Sequence, residues 1–520
     1  MKYNFLEDGR KISPLIRKIM NFTFEADRPW CHRLSTLSLV AFLTASPLVS
    51  GQRPNLDQFD SVRTLIHRQL TEESTPSIAV AVAQHGKIIW EEGFGWANRE
   101  ERVPANENTM YSLASISKPF TATGLMTLVE AGKIELDKPI NDYLGNSKLK
   151  AWAGDATQAT VRRVANHSSG LPLHYQFFFS NEGYPTPSYD DTILRYGNLV
   201  TVPGEHYQYS NLGYGILGYV LSRVSGYSYP DFMRSAVFLK LGLTHTSVNI
   251  GPGLEKFQAI RYDNKGDPIP FYDFDHPGAS AIYSSAHDLV RFGMFHLKDH
   301  LPDQDPILSD TSIDAMHQPT MKTSNQGGYG IGWSIADRPA GYRVVEHSGG
   351  MPGVSTQLIL VPAEDIAVVV LLNGRGHSSA VADAILKTLL PKWQIAARTP
   401  DSTPPPFHPD RTLLGTWKGT LHTYQRDLPV TITIAANGNV HTKFGQQLES
   451  LLNEAQFKDG ELTGRAWGDV GTDDAARHQA NTLLFGLTVR GDVLSGPVTA
   501  MEDRANPVAL TQWLELKRQQ

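Results

Sequence analysis

Ser115 and Lys118 stand three residues apart in the stretch YSLASISKPF. A serine hydroxyl is a weak nucleophile until a base takes its proton, and lysine is no base until its surroundings strip its charge. Residues i and i+3 share one face of a helix, so a helix beginning here would bring the two side chains within hydrogen-bonding reach. An ammonium near a helix N-terminus and away from water loses proton affinity, which suits Lys118 to that task. Pro119 is tolerated only in a first turn, where its missing N–H costs nothing. The plainer reading is a serine cap followed by an exposed lysine, and on local grounds the two readings weigh evenly.

S-x-x-K recurs at Ser147–Lys150, in the polar segment GNSKLKAW, where no helix fixes its geometry and a solvated turn is expected. Two further segments carry chemistry. PGEHYQYSNLGYGILG offers Tyr209 and Asn211 just before a glycine-containing helix, and VVEHSGGMPG offers His347, Ser348, Gly349 and Gly350 at the end of a strand. Y-x-N also occurs at Tyr196–Asn198 and Tyr262–Asn264, but only Tyr209 has the helix behind it.

S-x-x-K, Y-x-N and H-x-G together resemble the serine beta-lactamase and penicillin-binding superfamily, in the branch of class C beta-lactamases, DD-peptidases, D-aminopeptidases and esterases. NHSSGLP (Asn166 to Pro172) and LGLTHTS strengthen the likeness, which covers about Gln58 to Pro391. The resemblance implies an acyl-enzyme on Ser115, with Lys118 as its base. Tyr209, read as a phenolate beside the lysine charge, would shuttle the proton. Asn211 would hold the substrate amide or orient Lys118. The oxyanion would lie between the N–H groups of Ser115 and Gly350, and Ser348, Gly349 and Gly350 would line the substrate. His347 stands where beta-lactamases mostly carry lysine. A permanent cation there would grip a substrate carboxylate, whereas histidine is mostly neutral at pH 7. The likeness therefore leans toward D-aminopeptidases and esterases, and His167 is expected as a hydrogen-bonding residue behind the site.

Positioning these residues requires a sheet and helices. SIAVAVAQHGKIIW alternates Ile78, Val80 and Val82 before a His85–Gly86 turn and predicts a hairpin. Helices are predicted from Lys118 to Gly132 and from Leu212 to Gly226, and another after Ser285, with Asp288 three residues on. Strands return at YGIGW, YRVVEHSGG and TQLILVPAEDIAVVVLL, followed by a helix near Ala380 to Leu390. Strands at both ends with helices between predict an α/β domain, one antiparallel sheet flanked by helices with an all-helical subdomain, over residues 52–397. Residues 398–411 are proline-rich and predict a stiff linker. Beyond it, residues 412–520 alternate as strands and predict a lipocalin-like antiparallel β-barrel of six to eight strands. The aromatic run Tyr175 to Phe179 suits either the cleft mouth or the core, and Asp473–Asp474 a solvated loop.

The chain of 520 residues is 41% hydrophobic and 19% charged, with net charge −6, values of a globular protein without a dominant nucleic-acid role. Arg28, His32 and Arg33 precede the apolar run Leu34 to Val49 and small residues up to Gly51. That order predicts a secretory signal peptide over residues 1–51, with Met20 as an alternative start, an uncleaved anchor as the alternative fate, and a periplasmic or secreted product. Cys31 is the one cysteine, so cleavage after Gly51 would leave none and exclude disulfides and thiol chemistry. The 18 histidines contain no H-E-x-x-H, and neither a metal nor another cofactor is expected. The expected partner is a short peptide or other small molecule, not nucleic acid, and a membrane only if the N-terminal segment stays. Nothing in the sequence fixes an oligomeric state. The functions in view are an exported serine peptidase or esterase, a weak beta-lactamase, or a slowly acylating penicillin-binding sensor.

Overall fold

A computed structural model describes residues 56–324, 327–394, 407–502 and 508–519. The expected signal peptide and residues 398–406 of the expected linker lie outside the described residues.

The region before the linker is built on a nine-stranded sheet. Its strands are β1 (Ser77–Gln84), β2 (Lys87–Asn98), β3 (Val103–Pro104), β4 (Met321–Ser324), β5 (Gly327–Tyr329), β6 (Ser334–Asp337), β7 (Arg343–Met351), β8 (Val354–Val361) and β9 (Ile366–Leu372), in the order β4-β5-β6-β7-β8-β9-β1-β2-β3. The two ends of the domain thus meet at β9 and β1, which pair antiparallel with Val80 opposite Val370. Side-chain size explains the layers. Ile78, Val80 and Val82 of β1 face one way, toward the helices α1 (Asp60–Glu72) and α5 (Ser378–Leu389). Ala79, Ala81 and Ala83 face the other way, and their small side chains admit helices close to the sheet. These are α2 (Ser117–Glu130), α3 (Asn211–Ser225) and α4 (Ala286–Leu297).

Most predicted elements fall where expected. Ser285 caps α4 by accepting the Asp288 N–H, and Gly226 ends α3 with φ +79°. YGIGW differs: only Tyr329 belongs to a strand, and Gly330 to Trp333 form a turn between β5 and β6. The inserted region is mainly helical and also carries small strand pairings, such as Phe177–Phe179 against Tyr272–Phe274.

The C-terminal strands are β10 (Gly415–His422), β11 (Asp427–Ile434), β12 (Val440–Phe444), β13 (Ser450–Leu451), β14 (Asn453–Lys458), β15 (Glu461–Trp467), β16 (Thr482–Arg490), β17 (Val493–Glu502) and β18 (Val508–Arg518). Each pairs with its neighbours, β10 pairs β18, and only Leu452 separates β13 from β14. The ring is therefore a nearly closed barrel of antiparallel strands, nine among the described residues where six to eight were expected, because the two-residue β13 and the weakly apolar β10 and β14 leave little alternation in the sequence. Its interior is filled by side chains such as Trp417, Ile432, Leu462, Leu494 and Leu514.

The barrel docks on the region before the linker within one compact unit. Trp513 packs with Ala153 and Val200, and Tyr175 and Ala509 exchange two backbone hydrogen bonds of 3.1 and 3.0 Å. Asp474, expected in a solvated loop, is instead buried at this contact. Its Oδ2 accepts from Tyr196 (2.7 Å), Tyr424 (2.9 Å) and Arg195 (3.2 Å). A helix-capping turn, Thr472 to Arg477, aims it inward, which adjacent aspartates in sequence do not reveal.

Candidate active site

Ser115 lies on a tight turn just before α2, and the preceding Ala114 is held at φ +50°. A left-handed alanine costs on the order of 1–3 kcal/mol, so the surroundings must hold it. Two contacts do: Thr356 of β8 donates to the Leu113 carbonyl (2.9 Å), and β7 presses against the same carbonyl through Gly349. A Cβ on Gly349 would stand 2.1 Å from that oxygen, so only glycine lets strand and turn approach so closely.

Lys118, one turn into α2, is fully buried, and burial holds its amine well below the usual lysine range. Nζ lies 3.1 Å from Ser115 Oγ, 2.8 Å from Asn211 Oδ1 and 3.3 Å from the Ala279 carbonyl. A neutral amine has two hydrogens and one lone pair. Donating the hydrogens to Asn211 and Ala279 leaves the lone pair for the serine O–H, the arrangement a base needs. Asn211 begins α3, and its Nδ2 donates to the His174 carbonyl (2.9 Å). Both ends of its amide are engaged, which matches the lysine-orienting half of the expectation. Ala279 reaches Lys118 because α3 has glycine at 215, where a Cβ would stand 2.7 Å from His276.

Tyr209 donates to Ser115 Oγ at 3.0 Å, and the Lys118 Nζ lies 4.7 Å from its ring centre. Its environment favours the phenol over a phenolate. Burial, reinforced by Tyr175, pushes the phenol well above its usual range, so it stays protonated at neutral pH. Behind it, His167 accepts the Ser210 N–H on Nδ1 (3.1 Å), and its ring lies 4.4 Å from that of Tyr209. Burial above all holds His167 well below the usual histidine range. His347 donates from Nδ1 to the Ser348 carbonyl (2.7 Å) and meets the Tyr329 hydroxyl through Nε2 (2.9 Å). Burial, then Lys118, pushes it down to about 3, so it is neutral at physiological pH.

Ser115, Tyr209, His347, Ser348 and Gly350 line one cavity of about 380 Å³, together with Tyr175, Tyr207 and Tyr329. Gly350 faces open space, since a Cβ there would meet nothing within 4 Å. Gly349 packs behind the strand against Leu113 instead. Phe177 to Phe179 are buried in the core, so only Tyr175 of the aromatic run reaches the cleft. A second cavity of about 440 Å³, near Trp96, Arg99 and Arg102, contains no nucleophile–base pair.

The other motif matches have separate places. Ser147 and Lys150 lie in a solvated segment, Tyr196 reaches the barrel, and Tyr262 donates to Glu100 (2.6 Å). One grouping was invisible to motif spacing because His174 stands 101 residues before the adjacent Asp275 and His276. His174 Nε2 and His276 Nδ1 meet the two oxygens of Asp275 at 2.8 and 2.6 Å, fully buried. Their ligand atoms lie within 4.8 Å of one another, close enough to hold a metal ion. The mutual hydrogen bonds already satisfy Asp275, however, and through His174 the trio braces Asn211.

A sheet with helices on both faces, and a buried serine and lysine meeting a half-buried tyrosine at one cleft, define a serine-hydrolase architecture. The beta-lactamase family matches residues 62–391, and the chain belongs to that family, whose members are serine hydrolases. "Penicillin-binding protein 4*" of Bacillus subtilis (strain 168) is 28% identical over 59% of this chain and 70% of its own length. "Protein flp" of Staphylococcus aureus (strain MRSA252) is 26% identical over 61% of this chain and 63% of its own, so the chain spans less than two thirds of that relative. Among solved structures, SurE with D-Leu aligns over 89% of this chain and all of its own (TM-score 0.59, 22% identity). The octameric penicillin-binding protein homologue from Pyrococcus abyssi covers 88% of this chain and 99% of its own (0.56, 22%). A class C beta-lactamase covers 64% and 96% (0.55, 22%). These structural likenesses extend the shared fold.

Proposed function

We propose that this protein hydrolyses amide or ester bonds of small substrates through an acyl-enzyme on Ser115, most naturally those of short peptides containing D-residues or of small esters. The observation that carries this reading is the fully buried Lys118 amine, 3.1 Å from Ser115 Oγ, with Asn211 Oδ1 and the Ala279 carbonyl placed to accept its hydrogens. Ser115 Oγ attacks the carbonyl carbon as its proton passes to the Lys118 lone pair. The N–H groups of Ser115 and Gly350 stabilise the oxyanion, each donor contributing roughly 3 kcal/mol. Tyr209, kept as a phenol, gives its proton to the departing nitrogen or oxygen and is reprotonated through Lys118. Water, activated by the same pair, then releases the acid. Neutral His347 offers no fixed cation for a substrate carboxylate, which favours peptidase or esterase chemistry over strong beta-lactamase activity.

The name of one relative, "Penicillin-binding protein 4*", favours a second reading, a penicillin-binding protein, which for this chain would be a slowly acylating sensor. Hydrolysis of a chromogenic cephalosporin, p-nitrophenyl esters and D-alanyl p-nitroanilide by wild type and Ser115→Ala separates the two. Turnover that the variant abolishes supports the enzyme. Stoichiometric acylation without turnover supports the sensor. Export is part of the proposal, and the N-terminus of the mature protein tests it: a start at Gln52 is expected, and an intact segment through Val49 in the secreted fraction would contradict it.

A further inference from the structure

The hydrolase reading leaves the leaving-group side of the cleft without an assigned residue, and the inference here rests on that reading. Strand β7 is paired unequally along its two edges. β8 pairs with Val345 to Met351, but β6 pairs only with Arg343 to Glu346. Beyond Ser334 the neighbouring chain turns away at Gly332, φ +88°. Residues 347–351 therefore have no strand partner on that edge, where only the Ser348 carbonyl is engaged, by His347 Nδ1, and an extended substrate can lie antiparallel there, in line with β6.

The polarity of that substrate follows from the catalytic groups. Its reacting carbonyl lies by Gly350, three residues or about 10 Å along the strand from His347. Tyr209, which protonates the leaving group, is on the His347 side: its ring meets His167 (4.4 Å), His167 meets Tyr329 (4.6 Å), and Tyr329 bonds His347. The leaving group thus points toward the place where β6 ends. There Ser334 and Glu346 sit opposite each other, and both line the cavity.

Glu346 has one committed oxygen and one free. Oε1 accepts from Arg338 at 2.5 Å, while Oε2 is enclosed and has no hydrogen-bond partner among the described residues. No lysine or arginine lines the cavity. We propose that Glu346 determines leaving-group specificity, accepting groups that carry an ammonium or N–H donor and rejecting those that end in a carboxylate. An enclosed carboxylate oxygen without a donor gains from any N–H placed on it. A second carboxylate beside it meets like charge that Arg338 offsets only in part: its Nη2 is committed to Glu346 Oε1, while its Nε has no partner among the described residues. Glu346 makes and breaks no bond: Ser115 Oγ still joins the acyl carbon, and the leaving oxygen or nitrogen departs with the bonding pair and the Tyr209 proton.

The test uses N-acetyl-D-alanyl esters that share one acyl group and differ in the alcohol: 2-(dimethylamino)ethanol, 2-methoxyethanol and glycolate. In wild type, kcat/KM for the ammonium ester should exceed that for the glycolate ester at least about tenfold. Glu346→Gln should shrink this ratio toward one, and Glu346→Lys should invert it. Ratios within one variant cancel any loss of folded protein. Labelling of Ser115 by a neutral fluorophosphonate reports the nucleophile separately. Absence of labelling in wild type would overturn the hydrolase reading. Labelling with a ratio near one in wild type, or a ratio unchanged in Glu346→Gln, would overturn the role of Glu346 alone.

Discussion

Lys118 can act as a base only because nothing solvates it. In the proposed mechanism its neutral form is the active one, and burial holds its pKa well below the ordinary lysine value, so activity should fall as pH drops through that lowered pKa. No alkaline limb is expected up to pH 10, because Tyr209 is pushed the other way, and no limb near pH 6.5, because His167 and His347 are both pushed down. A kcat/KM profile on a neutral ester checks this, and an acid limb that moves on His347→Gln would contradict it. Lys118→Arg keeps a cation that cannot deprotonate, and should cost about 10³ in kcat, measured against wild type with the folded state verified by circular dichroism. The residue types of this site were legible in the sequence. Their protonation states were not, since those depend on burial by segments up to 161 residues away, such as Ala279 behind Lys118.

At the scale of elements, the site is a meeting of one strand and one turn. Gly349→Ala puts a methyl 2.1 Å from the Leu113 carbonyl and 2.2 Å from Thr356 Oγ1, which should part β7 from the nucleophile turn. The expected cost is about 1–3 kcal/mol of stability, read by urea unfolding, with most activity lost as well. Gly350→Ala meets no atom within 4 Å and should leave stability unchanged while raising KM. Equal destabilisation by the two would contradict the assignment of their faces. The hairpin at Ser77, helices α2 to α4 and strands β7 to β9 were all predictable because alternation or three-to-four spacing marks them. YGIGW was not, because its alternation of glycine and apolar residues mimics a strand while Gly332 takes a left-handed turn. The strand at Gly415–His422 and the short β13–β14 pair also carried too little apolar alternation to stand out.

Across the whole molecule, the barrel packs against residues that line the cleft. Tyr175 lines the cavity and is tied by backbone to Ala509, and its neighbour His174 holds Asn211. Asp474 fastens the same contact. Burial pushes its carboxyl up, but bonds from Tyr196 and Tyr424 and the charge of Arg195 outweigh burial and leave it below the ordinary range. Its contribution is therefore present above the unfolded pKa of about 4 and lost as pH falls through the lowered folded value. Asp474→Ala leaves two hydroxyls and an arginine without their partner, and should destabilise by about 3 kcal/mol, seen as a lower calorimetric midpoint with a raised KM. An unchanged midpoint would make the barrel an independent passenger. The barrel's strands were visible in sequence, but its docking was not, because the contacts join residues nearly three hundred positions apart.

The most direct test of the account is intact-protein mass spectrometry during the first turnover of a p-nitrophenyl ester, with wild type beside Ser115→Ala. One acyl group per wild-type molecule is expected, on the peptide containing Ser115, together with a matching burst of p-nitrophenol and neither signal in the variant. An adduct or burst that persists in Ser115→Ala would place the nucleophile elsewhere and contradict the mechanism.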